Sequence, residues 1–236
     1  MLLQLLPIRI KHSHRILTNP LTYSHQLFNL LFSASSDFRA TIRQDVCGYK
    51  FEFKAGEFFQ NNAYLLPSMV EHVRELAVGH GCRFLVDTYC GSGLFSICLS
   101  SAFDAVSGVE VSELAVKAAR HNAELNGITN ADFLCASSEA IFSSGGKEGA
   151  GLSAYTADET VVIIDPPRKG CDGVFLAQLF AFRPKKLIYV SCDPATQARD
   201  ARIIVEEGGY RAVACTPFDL FPQTRHIENV MAFIRE

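Results

Sequence analysis

The spacing of apolar and polar positions changes repeatedly along the chain from about residue 46. Short apolar, β-branched runs predict strands, and longer segments with apolar residues three or four apart predict helices. The predicted strands are YKFEF, RFLVDTY, DAVSGVEV, ADFLCA, TVVIID, KKLIYVSC, YRAVACTPFDL and HIENVMAFI. Predicted helices cover or begin within residues 64–80, 93–101, 112–127, 171–182 and 194–209.

Strands that alternate with helices at this spacing indicate βαβ units and a parallel sheet. The central strands are apolar on both faces, as parallel strands covered by helices are. We therefore predict a doubly wound α/β sheet, closed by an antiparallel pair formed from the last two strands. In the helix over 112–127, a single face is predicted to hold Leu114, Ala118, Ala119 and Leu125, and Gly127 to supply the C-cap.

The motif DTYCGSGLF indicates a nucleotide-type cofactor. Asp87 ends a strand, Gly91 and Gly93 open the next helix, and Glu110 ends the next strand, 23 residues after Asp87. Glycines let a ligand approach the backbone, and an acidic residue at the next strand end can accept hydrogen bonds from ribose hydroxyls. NAD-binding turns have a third glycine where this chain has Ser96, which favours S-adenosylmethionine. The alternative is an ordinary strand–helix turn.

Two further loops offer polar groups. In VVIIDPPRKG, Asp165 ends a strand, two prolines stiffen the turn, and Arg168 and Lys169 could contact a phosphate or a base edge. The alternative is a rigid turn. In AGEFFQNN, Gln60 offers amide donors and acceptors, while an N-cap is the alternative role for Asn62.

The stretch YVSCDPATQARD places Cys192 between a strand and a helix, with Asp193 as N-cap and Pro194 as the first helical residue. Alone, such a cysteine could be a core thiol. However, the carboxyl ends of parallel strands line one crevice in an open α/β sheet. Four residues fall at such ends: Tyr89, Glu110, Asp165 and Cys192. This shared position makes Cys192 a candidate nucleophile.

The motif FDLFPQTRHIENV places His226 and Glu228 two residues apart at the start of a strand, so their side chains share a face. A carboxylate on this otherwise apolar strand should be desolvated, which raises its proton affinity as a general base requires. A hairpin edge is the alternative.

Composition excludes several classes of protein. The eight cysteines form no C-x-x-C pair, so we expect no metal site, and their places in apolar patterns suit reduced thiols inside a cell. The net charge of −3 gives no electrostatic case for nucleic acid, so an RNA partner would need a local basic patch or a further module. No apolar run is long enough to span a membrane.

The N-terminal segment differs from the remainder. Residues 1–36 contain no Asp or Glu but include Arg9, Lys11 and Arg15. Such a composition suits a mitochondrial transit segment, or the remnant of a preceding domain. We therefore divide the chain into residues 1–45 and a catalytic domain over 46–236.

Together, the five motifs resemble those of the RNA 5-methyluridine methyltransferases, the uracil-5 tRNA and rRNA methyltransferase family, and FFQNN and CGSGLF most resemble its fungal tRNA members. The resemblance covers residues 46–236 and implies a Rossmann-like class I S-adenosylmethionine-dependent methyltransferase sheet. It also implies that Cys192 is the nucleophile and Glu228 the base. The residues it implies for binding S-adenosylmethionine are Gln60, Tyr89, Glu110 and Asp165.

This resemblance implies an RNA (uracil-5-)-methyltransferase that acts on tRNA, as a monomer in the cytoplasm or nucleus, with the mitochondrion as the alternative. Leu94 and Asp193 replace asparagines common in relatives. An amino-group methyltransferase is a rival, although such enzymes end their D/N-P-P motif in an aromatic residue where this chain has Arg168. Because relatives carry an RNA-binding module ahead of the catalytic part, a non-catalytic RNA- or cofactor-binding remnant is the other alternative.

The expected chemistry begins with addition of the Cys192 thiolate to carbon 6 of uracil, which makes carbon 5 nucleophilic. A helix amino end beside the thiol should favour its ionised form. Glu228 then removes the proton from carbon 5, and the thiolate is eliminated. The base must leave its stack to enter the crevice.

Overall fold

The computed structural model describes residues 40–60, 62–137, 141–142 and 152–235. The segment 1–36, interpreted above as a transit segment or domain remnant, lies outside these residues. So do residues 143–151 of the Gly/Ser-rich stretch SSGGKEGAGLSAYTADE, which predicts a loop over 143–159. Its described part holds two short 3-10 turns, Leu152–Ala154 and Ala157–Glu159.

Nine strands and five α-helices are present in the described part of the chain. The strands are β1 (Thr41–Val46), β2 (Tyr49–Lys54), β3 (Phe84–Thr88), β4 (Ala105–Glu110), β5 (Ala131–Cys135), β6 (Thr160–Ile164), β7 (Lys186–Ser191), β8 (Tyr210–Phe218) and β9 (Glu228–Arg235). The helices are α1 (Leu66–Ala77), α2 (Leu94–Leu99), α3 (Glu113–Leu125), α4 (Gly173–Phe182) and α5 (Pro194–Glu206).

Seven strands form one sheet in the order β5-β4-β3-β6-β7-β9-β8. The pairs β5–β4, β4–β3, β3–β6 and β6–β7 are parallel, whereas β9 is antiparallel to both β7 and β8. This confirms the predicted doubly wound α/β sheet and its C-terminal antiparallel pair. From β3, the strand order runs through β4 to β5 on one side and through β6 to β7 on the other. A crevice therefore opens at the carboxyl ends of β3 and β6, where the connections leave in opposite directions.

Helices cover both faces of the sheet. Along β6, Val161 and Ile163 pack in one apolar cluster, and Val162 and Ile164 pack in the other. All four are fully buried. The period of two places successive side chains on opposite faces, which is why a central parallel strand must be apolar throughout.

The hairpin of β1 and β2 was only half predicted. Its second strand matches YKFEF, but β1 has the polar sequence TIRQDV, which gave no strand pattern. The two strands pair antiparallel around Cys47 and Gly48, both at positive φ. The hairpin is fixed by α3, where Asn122 Oδ1 accepts the Glu52 N–H at 2.8 Å. Such a long-range contact leaves no local trace in the sequence.

The predicted core face of α3 was partly wrong. Ala119 is buried, but Leu114 and Leu125 are 66% and 41% exposed. The buried face centres instead on Val116, Ala119, Asn122 and Ala123. Asn122 belongs there because its amide binds the hairpin. The predicted C-cap is confirmed, since Gly127 has φ 66° and Ile128 N–H returns to the Ala123 carbonyl at 2.9 Å.

A buried lysine ends α1. Lys186 lies on β7, and its Nζ donates to the carbonyls of Leu76, Ala77 and Val78 at 2.9, 3.2 and 2.7 Å. Burial lowers the pKa of this amine. The ammonium satisfies carbonyls that a helix C-terminus leaves without partners and complements the negative end of the helix dipole.

We expect Lys186→Met to lower the free energy of unfolding by roughly 1–3 kcal/mol, because three carbonyls lose their donor. Urea unfolding at equilibrium measures this. Lys185→Met is the matched control, since the hydrogen bonds of Lys185 to Ala157 and Thr160 come from its backbone N–H. Equal losses in the two variants would show that the capping contact contributes nothing.

Candidate active site

A cavity of about 930 Å³ opens at the carboxyl ends of the parallel strands. All six side chains singled out by the sequence line it: Gln60, Tyr89, Glu110, Asp165, Cys192 and Glu228. The expectation that the strand ends share one crevice is therefore confirmed. Leu114 also lines this cavity, which explains why it does not face the core.

The β3–α2 turn is shaped by backbone strain and a buried carboxyl. Tyr89 adopts φ 62°, and its ring meets Phe175 edge-on at 5.8 Å. Asp87 Oδ2 accepts the Ser96 N–H at 2.9 Å and the Ser96 hydroxyl at 2.6 Å. Ser96 thus anchors the first turn of α2 to β3, which gives a structural reason for a serine at this position. Burial raises the pKa of Asp87 to about 7.

Glycine is required at position 93. Its φ is 89°, and a Cβ there would lie 3.1 Å from Ile97 Cδ1 and 3.3 Å from both Ala119 Cβ and Phe133 Cε1. A side chain would require these neighbours to shift by a few tenths of an ångström, and the left-handed backbone conformation would be strained in any other residue.

The Glu110 carboxylate is held in place while keeping capacity for a ligand. Its Oε2 accepts the Gly91 N–H at 3.2 Å, and its Oε1 accepts the Ser112 N–H at 2.8 Å. A carboxylate has about four acceptor positions, so about two remain. These suit a pair of hydroxyl donors entering from the cavity.

Gln60 and Asn62 have separate roles. Gln60 is buried, lines the cavity, and has no hydrogen-bond partner for its Oε1 among the described residues. A buried amide oxygen of this kind needs a donor, which a ligand could supply. Asn62 Oδ1 instead accepts the N–H groups of Tyr64 and Leu65 at 3.2 and 3.1 Å. Asn62 therefore closes the turn ahead of α1. The N-cap role offered for it was wrong, because the N-cap of α1 is Leu65, which makes no side-chain capping bond. Asn61 lies outside the described residues.

The pairing of β7 with β9 brings the candidate nucleophile and base together. The last registered pair is Ser191 with Asn229. Cys192 follows Ser191 and Glu228 precedes Asn229, so both lie directly beyond this pair. The Glu228 carboxylate is near enough to raise the pKa of Cys192, and both residues line the cavity. The candidate nucleophile and base are therefore neighbours although 36 positions separate them in the sequence.

Burial dominates the electrostatics of this corner. It raises the pKa of Glu228 to about 7, against the opposing effect of Arg168. The predicted rise in the proton affinity of Glu228 is thereby confirmed. Burial, followed by repulsion from Glu228, also raises the pKa of Asp165 well above its ordinary range. A carboxyl poised near neutrality can exchange a proton at physiological pH.

The expectation that a helix amino end favours the Cys192 thiolate was wrong for this structure. Burial and the Glu228 carboxylate raise the pKa of Cys192, while a hydrogen bond from Arg168 opposes the rise. Helix α5 begins beside Cys192 as predicted, but Asp193 Oδ1 accepts the N–H groups of Ala195 and Thr196 at 3.0 and 3.1 Å. The capping carboxylate therefore uses the donors that a thiolate would need.

Arg168 acts at a place that the sequence did not indicate. It was interpreted as a phosphate or base contact, but it hydrogen-bonds the Cys192 thiol and opposes the raised pKa of Glu228. It is exposed, so it can still meet a ligand. Its loop is fixed by α5, since Thr196 Oγ1 donates to the Arg168 carbonyl at 3.0 Å.

The same loop is fixed at its far end by a buried carboxylate. Asp200 Oδ2 accepts the Cys171 N–H at 2.7 Å and the Tyr189 hydroxyl at 2.8 Å. A Cβ at position 170 would collide with this carboxylate, so only glycine fits there. Near the cavity mouth, His226 precedes β9 and contacts the Phe221 ring edge-on, and both residues line the cavity.

Residues 37–236 match the family model for tRNA (Uracil-5-)-methyltransferase. This chain belongs to that family. It is 44% identical over 202 residues, 81% of its length, to the tRNA (uracil(54)-C(5))-methyltransferase of Saccharomyces cerevisiae. It is 39% identical over 210 residues, 85% of its length, to the enzyme of the same name from Schizosaccharomyces pombe. The matches span 30% and 38% of those two relatives.

Solved structures agree with the fold. Pyrococcus abyssi tRNA (uracil-54, C5)-methyltransferase, crystallised with S-adenosyl-L-homocysteine, is 31% identical with a TM-score of 0.69, covering 82% of this chain and 44% of that one. A SAM-dependent methyltransferase from Agrobacterium tumefaciens, 13% identical, shares the fold with a TM-score of 0.58, covering 85% of this chain and 72% of that one. The expected class I methyltransferase sheet is therefore confirmed.

Among the residues with described positions, no group of three or more His, Cys, Asp or Glu side chains could hold a metal ion. Within the same residues, no helix is both long and apolar enough to cross a membrane.

We expect Glu228→Gln to stabilise the protein increasingly as pH rises. The folded pKa of about 7 lies above the ordinary 4.5, so the stability contributed by the protonated carboxyl is lost between these values. At about pH 8 the free energy of unfolding of the variant should exceed that of wild type by roughly 2–3 kcal/mol. Below about pH 4 this difference should vanish.

Chemical denaturation at several pH values measures this difference. Glu206→Gln, at an exposed position of α5, is the control for the change in net charge. A stability difference for Glu228→Gln that stays constant across the pH range would contradict the desolvation of this carboxyl.

Proposed function

We propose that this protein methylates carbon 5 of uridine in RNA, with S-adenosylmethionine as methyl donor, through a transient covalent bond from Cys192 to the base. The observation that supports this most directly is the proximity of Cys192 and Glu228 inside the cavity. Uracil-5 methylation requires a thiolate for one ring carbon and a base for the adjacent one. The similarity to fungal and archaeal tRNA (uracil-54, C5)-methyltransferases supports tRNA as the RNA.

Four residues would hold S-adenosylmethionine: Gln60, Tyr89, Glu110 and Asp165. Glu110 has acceptor capacity for the two ribose hydroxyls, and Gln60 brings a buried amide oxygen that needs a donor. The β3–α2 turn borders the cavity through backbone alone at Gly91. When bound, the cofactor supplies a methyl group activated by a sulfonium.

In the first chemical step the Cys192 sulfur bonds to carbon 6 of uracil, and the electron pair of the ring double bond moves to make carbon 5 nucleophilic. The resting thiol has a raised pKa, so the thiolate must be stabilised as the reaction starts. Arg168 is the cation that hydrogen-bonds this sulfur. We assign it the role of stabilising the thiolate.

In the last step Glu228 removes the proton from methylated carbon 5, the ring double bond re-forms, and the Cys192 sulfur leaves. A carboxylate with a pKa of about 7 is ionised in a large fraction of molecules near neutral pH, yet is more basic than an exposed glutamate. Its location beside Cys192, at the end of the β7–β9 ladder, supports this role, since the two groups must reach neighbouring ring carbons. One cavity corner thus serves both steps.

The amino-group rival lacks support at the loop after β6. Enzymes of that type stack the target base on an aromatic ring after the two prolines, whereas Arg168 occupies the position here and contacts the thiol. We also propose an intracellular location, since all eight cysteines are free thiols.

We expect Glu110→Ala to weaken S-adenosylmethionine binding by roughly 1–3 kcal/mol, because ribose hydroxyls lose their acceptors. Isothermal titration calorimetry measures this. Glu113→Ala is the matched control, since Glu113 begins α3 three residues further on and is exposed. Unchanged affinity in Glu110→Ala would remove Glu110 from the cofactor site.

We expect RNA containing 5-fluorouridine to trap the wild-type chain in a covalent complex, because fluorine at carbon 5 cannot leave as a proton. Cys192→Ala should form no adduct and show no turnover while still binding the cofactor. Glu228→Gln should form the adduct even on ordinary RNA and release it slowly. Labelled RNA on a denaturing gel measures the covalent adduct in wild type and in both variants.

Two outcomes would contradict the proposal. A covalent band with Cys192→Ala would assign the nucleophile to another cysteine. Absence of turnover and trapping by wild type at high RNA concentration and low salt, with cofactor binding retained, would favour a non-catalytic RNA- or cofactor-binding remnant.

A further inference from the structure

A buried glutamine joins the two strands that end at the proposed nucleophile and base. Gln197 lies in the first turns of α5 and is 1% exposed. Its Nε2 donates to the carbonyl of Tyr189 on β7 at 2.9 Å and to the carbonyl of Asn229 on β9 at 3.0 Å. Its Oε1 accepts from Asn229 Nδ2 at 2.6 Å. One side chain therefore makes three hydrogen bonds across both strands.

The position of these bonds matters more than their number. The β7–β9 ladder has its last registered pair at Ser191 and Asn229. Cys192 and Glu228 follow immediately, where the ladder no longer fixes the distance between the chains. The Gln197 amide bonds to Asn229, the residue next to Glu228, and to Tyr189, three residues before Cys192. It therefore restrains the separation of the strands where the register ends.

Other contacts of α5 do not substitute for this link. Thr196 and Asp200 hold the loop after β6 and the Tyr189 hydroxyl, and neither bond reaches β9. Asn229 Nδ2 has a further contact with Cys215 Sγ at 3.5 Å, which ties β9 to β8 rather than to β7. Within the described part of the chain, Gln197 is a side chain that hydrogen-bonds both β7 and β9 at the end of their ladder.

We propose that Gln197 is a positioning residue that sets the distance between the Cys192 sulfur and the Glu228 carboxylate. The inference rests on the proposed function for its consequence, since a thiolate and a base must reach adjacent carbons of one ring. Adduct formation does not require Glu228, whereas adduct release requires Cys192 and Glu228 at the right separation. A change in their separation should therefore impair release more than formation.

The direct test is a double-mutant cycle on the titration of Cys192, which needs no RNA. The rate of Cys192 alkylation by iodoacetamide is measured against pH by mass spectrometry of its peptide, in wild type, Glu228→Gln, Gln197→Met and the double variant. The charged groups around the thiol are Glu228, Asp165, Arg168 and Asp193. Only the Glu228 contribution is removed within each background, so the cycle isolates the coupling between Glu228 and Cys192.

In the wild-type background, Glu228→Gln should shift the alkylation profile to lower pH, because the neighbouring negative charge is gone. In the Gln197→Met background the same substitution should give a distinctly smaller shift, because the two groups are further apart or less well aligned. An equal shift in both backgrounds would overturn the proposal. Gln178→Met on α4, away from the cavity, is the matched control and should preserve the wild-type shift.

The second measurement is the fate of the RNA adduct. We expect Gln197→Met to slow release of the adduct on ordinary RNA by about tenfold or more while formation changes less, since a misplacement of about 1 Å can cost about 10²-fold. Formation and release that fall in equal proportion would indicate general loosening and overturn the proposal. Failure of wild type to form any adduct counts against the proposed function, and the alkylation cycle still decides the role of Gln197.

A shorter amide guards against a folding defect. Gln197→Asn keeps the amide but shortens its reach, so fewer of the three bonds can form. If Gln197→Met does not fold, as judged by circular dichroism and cofactor binding, Gln197→Asn enters the same cycle. An Asn variant with the full wild-type shift would overturn the proposal, and a reduced shift would support it.

Discussion

The antiparallel pairing of β9 with β7 is the constraint on which the site depends. In a wholly parallel sheet, strands contribute side chains at their carboxyl ends, as β3, β4, β6 and β7 do here. The reversed strand β9 contributes its amino end to the same edge. This inversion lets Glu228, the first residue of a strand, lie beside Cys192, the residue after the last of another. The last registered pair, Ser191 with Asn229, brings the two residues to the same end of the ladder.

The cost of this arrangement is electrostatic. Glu228 is 3% exposed and shares its surroundings with Asp165 and the Cys192 thiol, so three groups that ionise to anions lie in one corner. Burial alone raises the pKa of each, and their mutual repulsion raises the values further for Asp165 and Cys192. Arg168 opposes this effect at two of the three groups. The loop that carries it is accordingly fixed by several hydrogen bonds from α5.

Local sequence patterns were sufficient for the parallel part of the fold and for the shared location of the six residues in one cavity, because strand-end placement and glycine turns are encoded by neighbouring residues. They failed where distant contacts decide. The polar strand β1 pairs with β2, and β2 is held to α3 by Asn122, a polar residue on the buried face of that helix. The helix dipole argument for Cys192 failed because the Asp193 side chain takes the first free N–H groups.

The raised proton affinities bear on how a cavity rich in acids could accept RNA. The chain has a net charge of −3, and the cavity contains Glu110, Asp165 and Glu228, a poor environment for a polyanion if all were ionised. Burial favours the neutral forms of Asp165 and Glu228, so the deep part of the cavity holds less negative charge than its composition implies. The exposed cations Arg168 and Lys169 lie in the loop beside it. The negative charge is thus reduced inside the cavity, and the loop with Arg168 and Lys169 makes this part of its edge positive. This distribution suits an uncharged base that enters the cavity while its charged phosphate backbone stays outside.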